Sequence, residues 1–127
     1  MLVLCIALGG ALGAVARYTL GSWIHSWAGS GFPWGTFTIN AIGSLLIGLS
    51  LQYLDATDAT PELRALVTVG ILGAFTTFST FTYEAIVLLQ EGAWARAAGY
   101  TLGSLAIGLL AAGSGLYIGA RLLQPAI

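Results

Sequence analysis

The sequence predicts an all-α integral membrane protein of four transmembrane helices, the third of them broken near its middle. Three observations carry that expectation. Of the 127 residues 57% are hydrophobic and only 7% charged, where a soluble domain carries about 25% charge, and the mean hydropathy is +0.91. The length allows about four apolar spans of ~20 residues, each enough for a hydrocarbon core of ~30 Å, and leaves nothing over for a soluble domain. Finally, no charge occurs from Ala65 to Tyr83, and the middle of that run holds Gly73, Thr76 and Thr77, residue types that weaken a helix.

The first span is expected over residues 2–24. Gly9, Gly10 and Gly13 give it a small-residue face on which another helix can pack closely. Arg17 lies some turns before its end. A guanidinium at the bilayer centre costs roughly 2.5 to 3.5 kcal/mol but far less when it snorkels outward, so Arg17 either anchors the span at the interface or lines a water-filled vestibule that attracts anions. Ala14-Val15-Ala16 imitates a signal-cleavage site, but no basic region precedes it and apolar sequence follows Arg17, which favours a retained span. Cys5, the one cysteine, can form no intrachain disulfide and reads as a small apolar residue. Trp23, His25, Trp27, Phe32 and Trp34 are assigned to a first loop at the membrane surface, where aromatic belts form. His25 has no neighbouring His, Cys or carboxylate in sequence with which to bind a metal.

Pro33 precedes the second span, residues 34–54, whose polar insertions are Thr36, Thr38, Asn40 and Ser44. Asn40 is the costly one, because its amide has donors and an acceptor to satisfy, so it must face another helix or an aqueous path. Asp55, Asp58, Thr60, Pro61, Glu62 and Arg64 make the most polar loop, with Thr60 and Pro61 suited to the N-cap and first position of the third span.

The third span, residues 63–90, is where function is sought. A break near residues 73–77 would put unpaired backbone groups at membrane depth, which is tolerated only where protein or water covers them, and so points to an ion site. The competing reading is a continuous helix whose Thr and Ser hydroxyls bond back to carbonyls a turn earlier. Beyond the break, Thr77, Thr80 and Glu84 fall on one face of a regular helix. Phe78 and Phe81 form a neighbouring stripe of ring edges, which carry partial positive charge and can face an anion or simply pack. Glu91, Gly92 and Arg96 make the third loop. The last span, residues 97–120, holds Gly99-x-x-x-Gly103 and Gly115-x-x-x-Gly119, both close-packing signals, and Tyr100 and Ser104 on one face.

Composition also excludes functions. Four scattered arginines and a net charge of −1 offer no basic patch for nucleic acid. No carboxylate pair, Ser/His/Asp set or phosphate-cradling glycine loop argues for an enzyme. Four spans would place Arg64 and Arg121 on one side of the membrane and Arg17 and Arg96 on the other. Because the Lys/Arg bias sets orientation, such a balance allows both orientations and hence antiparallel pairing.

Three ordered stretches carry a resemblance. Gly9-Gly10-x-x-Gly13-Ala14-x-x-Arg17-Tyr18, Gly35-Thr36-x-x-x-Asn40-x-x-Gly43-Ser44 and Gly73-x-x-Thr76-Thr77-Phe78-Ser79-Thr80-Phe81 resemble the successive signatures of the Fluc fluoride channels, also called CrcB-like proteins. The resemblance covers almost the whole chain, with Ala74-Phe75 standing where many relatives have a second glycine and another apolar residue. It implies an antiparallel, dual-topology homodimer with two fluoride pores, multi-pass in the cell's inner (plasma) membrane, through which fluoride leaves passively and cytoplasmic fluoride toxicity falls. By that likeness Phe78 and Phe81 match the pore-lining phenylalanines, and Asn40, Ser79, Thr80, Tyr100 and Ser104 match polar pore-lining positions. Arg17 matches a vestibule arginine, Glu84 an acidic residue near the pore, and Gly73 and Thr76 the backbone carbonyls that hold a structural sodium ion at the dimer centre.

Two other readings compete. A small dual-topology multidrug transporter would need a carboxylate in its first span for proton coupling, and none precedes Asp55. A non-transporting structural subunit fits the composition but gives no reason for the hydroxyl-rich break.

Overall fold

The computed structural model describes residues 1–123, and the regular structure among them is all helical. Helix α1 spans Leu2–Ala28 and α2 spans Trp34–Ala56. The third span, Pro61–Gln90, is assembled from α3 (Pro61–Arg64), a π-helical segment (Ala65–Leu72), α4 (Gly73–Phe75) and α5 (Phe78–Gln90), and α6 covers Trp94–Leu123. All four spans are long and apolar enough to cross a membrane. Each runs a few residues past the stretch read from hydropathy, because hydrocarbon thickness limits the apolar run and not the helix. Trp23, His25 and Trp27 consequently sit on the last turns of α1 rather than in the first loop.

Local chemistry explains the ends. The Thr60 side chain accepts from the Leu63 amide (3.3 Å) with Pro61 at the first helical position, as expected from the sequence. Arg64 folds back over the loop that precedes it, donating to the Asp55 carboxylate (2.7 Å) and to the carbonyls of Leu54 (2.8 Å) and Ala59 (3.3 Å). Arg96, at the start of α6, donates to the Gly31 carbonyl (2.6 Å) and ties the first loop to the last span.

The packing is the reverse of a soluble bundle. The buried residues of α1 are Gly9 and Gly13, while Leu2, Val3, Leu4, Leu8, Leu12 and Val15 of the same helix are exposed, as suits a surface solvated by lipid, where close backbone approach holds helices together. A Cβ on Gly70 would lie 2.9 Å from Gly9 Cα, so α1 and the π-helical segment touch backbone to backbone. Helices α2 and α6 make the other extensive contact, with Gly48 against the Ala112 carbonyl and Gly115 against that of Leu45. Of the glycines expected to pack, Gly10 and Gly99 have open space around them among the described residues of the single chain, since each lies off the face that meets a neighbouring helix.

Candidate ion pathway

Between α4 and α5 the backbone turns extended: Thr76 has φ −82° and ψ 157°, and Thr77 has φ −148° and ψ 117°. Thr76 closes off the first half by donating both its amide (3.1 Å) and its hydroxyl (3.0 Å) to the Leu72 carbonyl. Thr77 opens the second half as its N-cap. Its hydroxyl accepts from the Thr80 amide (3.2 Å) and donates to the Thr80 hydroxyl (2.9 Å). The peptide of Thr77 is taken by Asn40 of α2, whose Oδ1 accepts the Thr77 amide (2.8 Å) while its Nδ2 donates to the Thr77 carbonyl (3.0 Å).

These bonds decide what the backbone can bind. In an unbroken helix the Thr77 amide would serve the Gly73 carbonyl and the Thr80 amide that of Thr76. Both amides are engaged elsewhere. Oxygen dipoles therefore gather at the end of α4, while the thirteen-residue α5 begins at Phe78 with first-turn amides and the positive end of its dipole.

Two clefts flank this point. One, of about 370 Å³, is lined by Asn40, Gly43, Ser44, Thr68, Gly73, Thr76, Thr77 and Phe78. The other, of about 490 Å³, lies among α1, α2 and α5 and is lined by Arg17, His25, Thr36, Thr77, Thr80 and Glu84. Glu84 is held by two neutral donors, the Thr36 hydroxyl to Oε1 (3.0 Å) and the Tyr100 hydroxyl to Oε2 (2.7 Å). Tyr100 is fully buried, and its ring packs on Phe81 (centroids 5.1 Å apart), which meets Phe78 at 5.7 Å.

The structure thus gathers most of the residues singled out from sequence. Asn40, Gly73, Thr76 and Phe78 share the first cleft, and Arg17, Thr80 and Glu84 the second. Tyr100 and Phe81 join the second group through the Glu84 bond and ring contact. Ser79 lies exposed on the first turn of α5, its hydroxyl 3.5 Å from that of Thr77. Ser104 stands apart: its hydroxyl is buried and has no hydrogen-bond partner among the described residues. Thr36 and Thr77, which the sequence marks only as polar positions, also belong to the site. The spacing of Thr36 from Asn40, one helical turn, was the signal for the first, and a threonine three before Thr80 at a helix start was the signal for the second. His25 reaches the second cleft because α1 continues past the apolar stretch.

The chain is similar in sequence to known proteins. Residues 4–116 match the family described as CrcB-like protein, Camphor Resistance (CrcB). A fluoride-specific ion channel FluC of Acidobacterium capsulatum is 50% identical over 123 residues, covering 96% of this chain and 98% of that one. Proteins of the same name from Thermus thermophilus and Magnetococcus marinus are 48% and 47% identical, each over 94% of this chain and over 94% and 98% of their own. A match of this extent, end to end across all four spans, places the chain in the family of CrcB-like proteins.

Proposed function

We propose that this protein is a fluoride-selective channel, not an enzyme, that lets fluoride leave the cell passively and so limits its toxicity. The observation that carries the reading is the near-complete overlap with relatives named as fluoride-specific ion channels. Chemistry at the extended Thr76-Thr77 pair supports it. Fluoride is small and strongly hydrated, so a pathway must replace lost water with donors and positive edges. The cleft that holds Phe78 adjoins the first turn of α5, whose amides and dipole favour an anion. Phe78, 76% exposed in the single chain, and Phe81 offer ring edges. Asn40, Ser79, Thr80, Tyr100 and Ser104 supply polar groups along the route. Arg17 at the second cleft draws the anion in, and Glu84, tied to Thr36 and Tyr100, sets the positions of those donors.

The working unit in this reading is an antiparallel, dual-topology homodimer with two pores in the inner membrane. The Thr76-Thr77 pair is then a mid-membrane break in the third helix, and breaks from two oppositely oriented copies meet at the two-fold axis. Gly73 is exposed in the single chain and its carbonyl, like that of Thr76, has lost its usual amide to another partner. Such hard oxygen dipoles fit a monovalent cation, sodium by likeness to the family, bound by Gly73 and Thr76. Bound there, the cation would supply positive charge that holds the two breaks together; it is structural and not transported.

Fluoride efflux tests the function. Proteoliposomes loaded with potassium fluoride and given a potassium ionophore should release fluoride quickly, and the same vesicles loaded with potassium chloride should not release chloride. Equal release of both ions, or of neither, would overturn the reading.

A further inference from the structure

Asn40 does more in this structure than present an amide to a pathway. Both ends of its side chain grip one peptide unit, Oδ1 taking the Thr77 amide at 2.8 Å and Nδ2 giving to the Thr77 carbonyl at 3.0 Å. This is the pairing a neighbouring strand would make, supplied here by one side chain. Its effect is specific, because the captured amide is the one that would otherwise close an α-helical bond onto the Gly73 carbonyl. A little further along the same face of α2, Gly43 lets the chain come close: a Cβ there would stand 3.2 Å from the Phe75 ring and nearer still to the Thr76 methyl. Asn40, Gly43, Gly73 and Thr76 all line one cleft.

We propose that Asn40 is a positioning residue for the cation, one that creates the Gly73 carbonyl ligand by withholding the Thr77 amide from it. The inference rests on the reading of Gly73 and Thr76 as cation ligands. It also links the two ions. An asparagine amide has two N–H groups and one is spent on Thr77, so the second remains for an anion in the same cleft. Loss of Asn40 lets the Thr77 amide return to Gly73, which removes a cation ligand and moves the start of α5.

The test is a sodium titration of thermal unfolding on the purified full-length protein, followed by tryptophan fluorescence, with choline replacing sodium. The unaltered protein should gain stability with sodium along a saturating curve. In Asn40→Ala the midpoint of that curve should rise about tenfold or more, equivalent to losing a ligand's share of the affinity. Gly48→Ala disturbs the α2–α6 contact away from the break and should lower the melting temperature without moving the midpoint. Asn40→Asp keeps the oxygen that accepts the Thr77 amide and should leave the midpoint unchanged or lower. If Asn40→Ala yields no folded protein, the aspartate variant decides: a midpoint about tenfold higher counts against the clamp. Sodium dependence in the parent with an unmoved midpoint in Asn40→Ala overturns this role alone. No sodium dependence in the parent overturns the cation reading and this role with it.

Discussion

The Glu84 carboxyl group lies within a membrane-spanning helix, and its two oxygens are met by hydroxyls: Thr36 at 3.0 Å and Tyr100 at 2.7 Å. Leaving a part-buried acceptor without its donor costs about 1 to 3 kcal/mol, so Tyr100→Phe should lower stability by roughly that amount while keeping the ring packed against Phe81. Fluoride efflux should slow with it. Melting curves and efflux on one preparation check both, and a fully active Tyr100→Phe would show that the hydroxyl serves packing alone. Phe78 and Phe81 belong to the same scale. Isoleucine keeps their bulk and removes the positive ring edge, so Phe78→Ile and Phe81→Ile should fold and conduct poorly; unchanged efflux in both would make them packing residues. These residues could be chosen from sequence by type and spacing. That Glu84 bonds Thr36 and Tyr100, and that Asn40 bonds Thr77, could not, because each pair joins different helices and periodicity within one helix holds no register between two.

Among elements, helix existence was legible because lipid imposes a long apolar run on every span. Which glycines matter was not, since a small-residue motif states that a close approach is possible and not which way it faces. Gly9 and Gly13 meet the π-helical segment and Gly115 and Gly119 meet α2, while Gly10 and Gly99 meet nothing among the described residues of the single chain. The π-helical run Ala65–Leu72 left no mark in the sequence. The facing glycines of α1 leave room for it: a Cβ on Gly9 would collide with the Leu66 carbonyl and one on Gly13 with that of Ile71. Gly13→Val should therefore cost about 1–3 kcal/mol or more by overpacking, whereas Gly10→Ala should stabilise slightly, by up to about 1 kcal/mol, through helix propensity. Melting temperatures of the two variants decide it, and equal losses in both would show that the packed face is misassigned.

For the whole molecule the question is which way it faces. Orientation follows the placement of Lys and Arg near the spans, and carboxylates contribute little. Four membrane crossings would put Arg64 and Arg121 on one side and Arg17 and Arg96 on the other, with no lysine to tip the balance. Three of the four arginines are engaged within the fold: Arg64 is held in its loop by Asp55 at 2.7 Å, Arg96 by the Gly31 carbonyl, and Arg121 lies 5.3 Å from the Tyr117 ring centre. The proposed antiparallel dimer needs such a balance, since it must draw subunits of both orientations from one gene product. Two or three lysines added at the N-terminus should hold most copies one way round and reduce fluoride efflux from cells. Co-expression with a chain biased oppositely, by lysines in the first or third loop, should restore it. A terminal tag on the unaltered chain should label from both faces of the membrane in comparable amounts. Labelling from one face only would exclude the antiparallel dimer, and would do so without touching the membership in the family or the efflux activity, which are measured separately.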